Sequence, residues 1–368
     1  MAHTSQERYS DMVMAKIRKE LVLKDGVVFN KDYEGKPTAG AVKIPVRDTE
    51  VAVSDYDKAN GITAGTGSTS YETMTIDKDK GVNEIIDGYD AEAVPDNLVA
   101  DRLDSAGYSL AKQIDADGAT VLLAGSSAIR YGKLTKDNVY QMFVDARVAM
   151  GKANIPDDGK RYALITPDVI GLVLSSPEFV KASELGDKIV ETGAIGKIAG
   201  FLIIEWNDDT DNLAGIFGHP RFATRAEEFS VPIKLQDLSG SGKYIGASAV
   251  QGRQVYAHKV LRSVAIKAVY TNGCVTASVA AGTTAGDTKV TAAVGTTGNT
   301  LSYKKNPAKP AYFGIDKTLY GGTALTSGTA KAVSACVAGD VLEILEFDTN
   351  SVCVSKTTIE LNADDIMA

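Results

Sequence analysis

One stretch decides how the fold is interpreted: Gly193-Ala-Ile-Gly-Lys-Ile-Ala-Gly-Phe-Leu-Ile-Ile-Glu-Trp206. Its glycines stand at positions 193, 196 and 200, and an apolar run follows at 201–204. Glycine at this spacing permits a tight turn or a close approach of two backbones. The apolar run predicts a strand buried on both faces. A dinucleotide site needs the opposite order, a strand before the glycines and a helix after them. We therefore predict a structural turn between core elements here, not a ligand loop.

The composition is that of a globular protein with a sizeable core. The chain has 368 residues, 44% of them hydrophobic, which is enough for two or three domains of about 100–200 residues each. No apolar run approaches the roughly 20 residues of a membrane helix, and the polar N-terminus lacks the apolar core of a signal peptide. We therefore expect synthesis in a cytoplasm and no membrane partner. The net charge of −8 argues against a broad basic face, so any contact with nucleic acid would be local.

Upstream of the decisive stretch, the sequence predicts an arm, a hairpin and a long helix. Residues 1–40 carry alternating charge and one short amphipathic segment (Met12 to Val22), which predicts an arm lying on another element or on a neighbouring subunit. Alternating strands at 41–47 and 71–76, joined by a long polar connection, predict an extended hairpin. Because this hairpin has little apolar surface to bury, it is either a projection that reaches a partner or a flexible surface loop.

The helix is predicted over residues 95–124, with Pro95 in its first turn. Apolar and glycine residues recur there at spacings of 3 and 4, which predicts a length of about 40–45 Å. The predicted inner face consists of Leu103, Gly107, Leu110, Ile114, Gly118 and Val121. Asp115 falls elsewhere on the helical wheel.

The remainder predicts a mixed α+β body and a β-rich tail. A second helix is predicted over 135–152 with Thr135 as its N-cap, and a strand at 161–166 leads into a short helix. Alternating segments up to residue 269 predict long antiparallel strands that pack on the first helix. From residue 271 the chain turns to short strands rich in Thr, Ala, Gly, Val and Ser, which predicts a β-sandwich of immunoglobulin-like size after a hinge at 271–273.

The sequence predicts no catalytic, cofactor-binding or metal-binding residue. No G-x-S-x-G motif accompanies the histidines, so His3, His219 and His258 are interpreted as structural. Gly240-Ser-Gly-Lys243 resembles a phosphate loop, but Tyr244 replaces the Ser or Thr that would hold the metal.

Two acidic groups and three cysteines complete the candidates. The acidic groups could take a hard cation, but solvated loops are the favoured interpretation of Asp87, Asp90, Glu92, Asp208, Asp209 and Asp211. The cysteines are dispersed and odd in number, so we predict buried free thiols at Cys274, Cys336 and Cys353.

The order of these elements resembles the major capsid protein of tailed bacteriophages, whose fold is known as the Hong Kong 97 type. The resemblance rests on 77–80 with Asp87 and Asp90, on 103–125, on 161–168 and, most specifically, on Gly193–Phe201. It covers about residues 1–270. The final β-domain resembles the immunoglobulin-like domains that some phage coat proteins append on their outer surface.

The resemblance implies a domain order along the chain. The arm would be 1–40 and the extended E-loop 41–92. Residues 93–270 would form the P-domain and A-domain, the P-domain at about 93–134, 158–200 and 240–270. The sandwich at 271–368 would be a surface domain.

It also implies a function: a protein without catalysis that self-assembles into the icosahedral head shell enclosing double-stranded DNA. The implied partners are further copies in hexamers and pentamers, a separate scaffolding protein and a portal, with weak contact to packaged DNA. Assembly in a bacterial cytoplasm would lead to the virion. The arm and hairpin would then gain their burial from neighbouring copies. The alternatives are an encapsulin-like shell, another virion part, or an enzyme or carbohydrate-binding protein that uses the C-terminal β-domain.

Overall fold

The computed structural model describes residues 16, 18–33, 40–46, 51, 53–62, 69–93, 98–177 and 196–368. The chain divides into two compact units. The first unit comprises residues 1–21, 30–119 and 224–259, and the second comprises residues 22–29, 120–223 and 260–368. Helices and strands are mixed, as the α+β prediction requires.

The element bounds are as follows. In the described ranges the helices are α1 (Gly88–Ala93), α2 (Leu98–Gly125), α3 (Val139–Lys152), α4 (Pro167–Leu174) and α5 (Lys317–Tyr320). The strands before the tail are β1 (Ala41–Val46), β2 (Ser70–Thr75), β3 (Lys78–Asp87), β4 (Ser127–Arg130), β5 (Tyr162–Ile165), β6 (Lys197–Ile198), β7 (Phe201–Glu205), β8 (Leu213–Gly218), β9 (Ala223–Asp237), β10 (Ala247–Val260) and β11 (Lys267–Tyr270). The tail contributes β12 (Thr276–Ala281), β13 (Thr288–Ala293), β14 (Thr300–Lys305), β15 (Thr323–Leu325), β16 (Lys331–Val333), β17 (Val341–Phe347) and β18 (Cys353–Glu360).

The first unit contains a two-stranded ribbon and a three-stranded sheet. Strands β1 and β2 pair antiparallel, with Ala41 opposite Thr75, which confirms the predicted hairpin. Strand β3 does not extend this ribbon, because it pairs antiparallel with β10 in the order β3-β10-β9. Strands β9 and β10 are long, at 15 and 14 residues, as predicted for this part of the chain.

Helix α2 packs on this sheet through its first half. The shared core contains Ile86, Ala106 and Val250, with Leu103 and Ile233 packed against it. A Cβ atom at Gly252 would lie 2.4 Å from Cγ1 of Ile233, so this close approach requires glycine. The Tyr256 hydroxyl donates a hydrogen bond of 2.7 Å to Asp117 of the helix. The sheet and the helix are therefore held by both apolar and polar contacts.

The buried face of α2 differs from the predicted one. Leu110 and Gly118 are buried as expected. The other four residues of the predicted face are only partly buried, and Ala106, Ala119 and Leu122 are buried in addition. Asp115, predicted on the outside, is only 8% exposed. The prediction favoured the larger apolar side chains, whereas a closely packed helix face accommodates alanine. Pro95 lies outside the described residues.

The described part of the N-terminal arm lies on the chain's own helix in the first unit. Lys16 pairs with Asp101, and Arg18 pairs with Asp104. The Tyr108 hydroxyl donates to the carbonyl oxygen of Lys19 at 3.0 Å. Three residues of extended chain and seven residues of helix both advance about 10 Å, so the two segments run side by side in register.

This result corrects part of the arm prediction. The arm does lie on another element, and for Lys16, Arg18 and Lys19 that element is helix α2 of the same chain. Further along, Val22, Leu23, Val28 and Phe29 are buried within the second unit. Met12, Val13 and Ile17 of the predicted amphipathic segment lie outside the described residues.

The core of the second unit is built around strand β5. All four of its residues are buried, between β7 on its parallel side and β8 on its antiparallel side. The ring of Phe217 meets Phe143 of α3 and Phe201 of β7 edge-on, at centroid distances of 5.4 and 5.1 Å. Helix α3 packs on this core through one apolar face, which includes Val139, Met142, Phe143, Ala146 and Ala149.

Helix α3 begins one turn later than the sequence predicted. Its N-cap is Asn138, whose side-chain oxygen accepts the backbone N–H of Thr135 at 2.7 Å. Thr135 therefore belongs to the turn before the helix and does not cap it. None of the helices in the described ranges is long and apolar enough to cross a membrane.

The decisive stretch forms a tight hairpin between β6 and β7. Ala199 and Gly200 both have positive φ, +47° and +87°, as a two-residue primed turn requires. The predicted structural turn is thus confirmed for its described part, which begins at Gly196. The prediction that the following strand is buried on both faces is wrong, because Leu202 is 36% exposed. Leu202 lies on the opposite face of β7 from the buried Phe201 and Ile203, and that face is only partly covered.

The tail forms two sheets around one core. Strands β12, β13 and β16 make one sheet, and β14, β15, β17 and β18 belong to the other. Their inward side chains form a single cluster that includes Val290, Leu301, Val333 and Ile344. The two-sheet arrangement was predicted, whereas its immunoglobulin type stays a prediction. The predicted hinge is bonded to the rest of the second unit, since Thr271 donates its N–H to Asn212 at 2.8 Å.

We predict that Gly200→Ala destabilises the second unit by about 1–3 kcal/mol, because alanine is strained at this positive φ. The added Cβ would also lie 2.5 Å from the Arg147 guanidinium. Urea denaturation followed by the fluorescence of Trp206, the only tryptophan, measures the effect. The matched control is Gly196→Ala, since nothing lies within 4 Å of a Cβ there. Equal stability of the two variants would contradict the turn assignment.

Candidate interaction surface

Exposed large apolar side chains are concentrated in the first unit. Of seventeen such side chains among the described residues, ten lie in this smaller unit. Val53 is 97% exposed and Val51 is 91% exposed. The others of the ten are Tyr56, Ile62, Tyr71, Ile85, Tyr89, Phe229, Leu235 and Ile245. Exposed apolar side chains that lie together are typical of surfaces that bind a partner, so we consider the first unit as the candidate interaction surface.

Five of the ten belong to one segment, which we call the ribbon: β1, β2 and the described residues between them. The ribbon has one covered face, on which Ile44 and Met74 are almost fully buried. Tyr71 and its partner Pro45 lie on the opposite face, where Tyr71 is 64% exposed. Two strands form a single layer, so the ribbon cannot supply a second apolar layer for this face.

The outer part of the ribbon contains a well-bonded turn. Asp57 accepts hydrogen bonds of 2.8 Å from the backbone N–H of Ala59 and from the side chain of Asn60. These bonds lower the pKa of the Asp57 carboxyl. The Asp57 carbonyl also accepts the N–H of Gly61 at 2.8 Å. The polar connection between the strands therefore contains a hydrogen-bonded turn at 57–61, and the exposed Tyr56 directly precedes it.

The base of the ribbon is attached to the end of β10 by one lysine. The Lys259 ammonium donates to the carbonyl oxygen of Thr73 at 2.7 Å and lies 3.1 Å from the carboxylate of Glu72. Six residues earlier in β10, Arg253 forms a two-pronged pair with Asp79 of β3. The Arg253 pair is half-exposed, so it fixes geometry more than it adds stability.

Both histidines in the described ranges make hydrogen bonds within the fold, and their structural role stays a prediction. Nδ1 of the buried His219 accepts the N–H of Arg221, so Nε2 carries the proton and donates it to Asp158 at 2.9 Å. This hydrogen bond lowers the pKa of Asp158. Nε2 of His258 accepts from Arg225 at 2.9 Å. His3 lies outside the described residues.

The remaining sequence candidates are not brought together. The phosphate-loop-like segment 240–243 connects the antiparallel strands β9 and β10, so no helix follows it as a phosphate loop would need. Within the described ranges, no group of three His, Cys, Asp or Glu side chains could hold a metal. Asp87 and Asp208 instead accept nearby backbone N–H groups.

The cysteine prediction is confirmed in part. Cys336 and Cys353 are buried free thiols, whereas Cys274 is partly exposed. Burial raises the pKa of Cys353 to about 12, so this thiol is unreactive at neutral pH.

The sequence did not reveal several buried charged residues. Glu346 is fully buried and accepts the N–H groups of Gly295 and Thr296 and the amide of Asn299. Lys267 was predicted in an alternating strand, but it is 3% exposed because β11 lies inside a ten-stranded sheet. A central strand of such a sheet is covered on both faces. Only the order of strands in the sheet could have indicated that Lys267 is buried.

The fold is shared with solved phage structures. The chain is similar to one of Mycobacterium phage Che8, with 22% identity and a TM-score of 0.60 over 72% of this chain and 96% of that chain. It is similar to one in the capsid structure of the cyanophage P-SCSP1u, with 14% identity and a TM-score of 0.62 over 72% and 92%. It is also similar to a chain in the mature capsid of bacteriophage PhiM1, with 13% identity and a TM-score of 0.58 over 73% of this chain and 92% of that chain.

Two further comparisons concern the sequence itself. A family model described as the S-layer protein SbsC C-terminal domain matches residues 280–364, within the two-sheet tail. No curated protein sequence matches the chain. The structural matches show that the chain has a fold found in phage capsids, and its Hong Kong 97 type stays a prediction.

We predict that Lys259→Met loosens the ribbon without unfolding the first unit. Loss of the bonds to Glu72 and Thr73 should make amide hydrogen exchange in β1 and β2 roughly threefold to tenfold faster. Mass spectrometry of the exchanged protein measures this. The control is Lys43→Met, which removes an exposed ribbon lysine. Unchanged exchange in Lys259→Met would mean that other contacts hold the ribbon.

Proposed function

We propose that this protein is a major capsid protein that self-assembles into the head shell of a tailed phage around double-stranded DNA. The observation that carries the proposal is the match to capsid structures over more than nine-tenths of their own chains. The ribbon supports it independently, because its apolar side chains gain burial only when a second surface covers them. Burying one such side chain is worth about 1.5–3 kcal/mol.

In this proposal the domain order is the one implied by the sequence resemblance. The ribbon corresponds to the E-loop at 41–92, and the arm is 1–40. The P-domain and A-domain occupy 93–270. The shell would contain hexamers and pentamers, and each ribbon would cover part of the next copy in a head-to-tail contact that closes into rings.

The tail at 271–368 would be a surface domain appended to the shell fold. About 72% of the chain is covered by the capsid matches, and the tail makes up about the remaining quarter. The family-model match in the tail is independent of the capsid matches. Its immunoglobulin-like type belongs to this proposal.

The proposal assigns the protein no catalysis. Its partners would be other copies, a separate scaffolding protein, a portal and, weakly, packaged DNA. Assembly would take place in the bacterial cytoplasm, and the product would be part of the virion. The acidic charge of −8 fits a shell that does not bind its DNA tightly.

A second candidate is a protein of a flat surface lattice, favoured by the S-layer match at 280–364. Electron microscopy of the purified protein separates the two. Closed shells support the capsid proposal, and extended flat sheets support the lattice. A monomer that forms neither would contradict both.

We predict that Val53→Asp abolishes shell formation and leaves the subunit folded. A carboxylate at this position would have to lose its water in the ribbon contact, which costs several kcal/mol. Size-exclusion chromatography and electron microscopy measure assembly, and circular dichroism measures folding.

The matched control is Leu319→Asp, which places the same charge at a 76% exposed apolar position of the tail. This variant should still assemble. Shells of normal yield from Val53→Asp would show that the ribbon is not an assembly contact.

A further inference from the structure

The second unit contains a cavity of about 880 Å³ whose lining includes both apolar and charged side chains. One side of it is formed by the connection from α2 to β4 and by the end of α3. The start of β11 and several loops of the tail form the rest. One of these loops, 295–299, is held in place by the buried carboxylate of Glu346. The volume falls in the range of small-molecule binding sites, about 300–1,000 Å³.

Lys267 is the unusual residue of this wall. Its side chain is 97% buried, and the structure shows no hydrogen bond or ion pair for its ammonium within the described residues. The ammonium lies beside Gly314, where a Cβ atom would be 3.6 Å from it. Gly314 also lines the cavity, so the charge is at the cavity surface. Burial alone lowers the pKa of Lys267 to about 8.

The other charged groups of the wall do not neutralise Lys267. Arg130 and Lys152 add two more positive charges, and Asp348 is the one acidic side chain in the lining. The Asp348 carboxylate already accepts the N–H groups of Asn350 and Val352, each at 2.9 Å. The cavity therefore has an excess of positive charge.

The flanking cations are held by aromatic rings. Arg130 lies over the ring of Tyr270 at 4.7 Å, and Lys152 lies over the ring of Tyr312 at 5.4 Å. Rings stabilise these cations without neutralising them. The charge of the wall thus remains available to a ligand.

An isolated buried ammonium is costly, and this cost is offset when an anion binds beside it. We propose that the cavity binds a small multivalent oxyanion of the phosphate type, with Lys267 as the central ligand and Arg130 and Lys152 flanking it. The site lies entirely within the second unit and does not depend on assembly of the chain.

Isothermal titration calorimetry of the full chain with inorganic pyrophosphate tests the proposal, at constant ionic strength set with sodium chloride. The wild type should bind at one site. Lys267→Met should bind at least about tenfold more weakly, because a hydrogen bond to a charged group is lost. Lys267→Arg should retain most of the affinity. Orthophosphate and citrate as second titrants distinguish a phosphate from a carboxylate ligand.

The matched control is Lys309→Met, which removes an exposed tail lysine that does not line the cavity. Lys152→Met removes a flanking cation from an exposed position and should weaken binding severalfold, so the test does not depend on one variant. Equal affinity of wild type and Lys267→Met, or no binding by the wild type, would overturn the proposal.

The pH dependence of stability without added anion provides a second readout. The lowered pKa of Lys267 means that the unfolded chain binds more protons between pH 8 and about 10.5. Stability of the wild type should therefore rise relative to Lys267→Met across this range. Arg130, Lys152 and Asp348 face the same cavity in both proteins. Below pH 8, pyrophosphate should remove much of the difference in stability between the wild type and Lys267→Met. A stability difference that changes neither with pH nor with pyrophosphate would contradict the site.

Discussion

A single layer of two strands cannot bury apolar side chains on both of its faces. The ribbon of the first unit is such a layer, so one of its faces can be buried only by another surface. One face is covered through Ile44 and Met74, while Val51, Val53 and Tyr71 remain in water. The bonds of Asp57 keep the nearby turn in one conformation. An apolar surface in water is stabilised when a partner covers it.

The rest of the first unit provides a firm base for the ribbon. The sheet β3-β10-β9 packs on α2 through Ile86, Ala106 and Val250, and Lys259 at the end of β10 reaches the ribbon directly. The arm adds ion pairs along the same helix. The second unit has its own core around β5 and a two-sheet tail. Burial is therefore complete in these cores and incomplete in the ribbon, which is why we assign the ribbon to assembly.

Local sequence signals predicted much of this fold. Alternation predicted the two ribbon strands, and glycine spacing predicted the turn at Ala199-Gly200. The failures have a common cause, which is that long-range packing leaves no local pattern. The sequence could not show that Lys16, Arg18 and Lys19 would lie on the chain's own helix. Nor could it show that the polar Lys267 would be buried, since this depends on strands far apart in the chain pairing around β11. The exposed ribbon could be predicted because the low apolar content of this segment is visible in its own sequence.

The central claim is that another copy of the chain covers the ribbon. Thiol labelling at Val53→Cys tests it most directly, in a Cys274→Ser background in which the remaining thiols, Cys336 and Cys353, are buried. The labelling rate is compared between the isolated subunit and the assembled particle, with Leu319→Cys as the reference position. The account predicts that assembly slows labelling at position 53 by at least about tenfold, as expected for a core interface position, and leaves position 319 unchanged. Equally fast labelling of position 53 in both states would contradict the account.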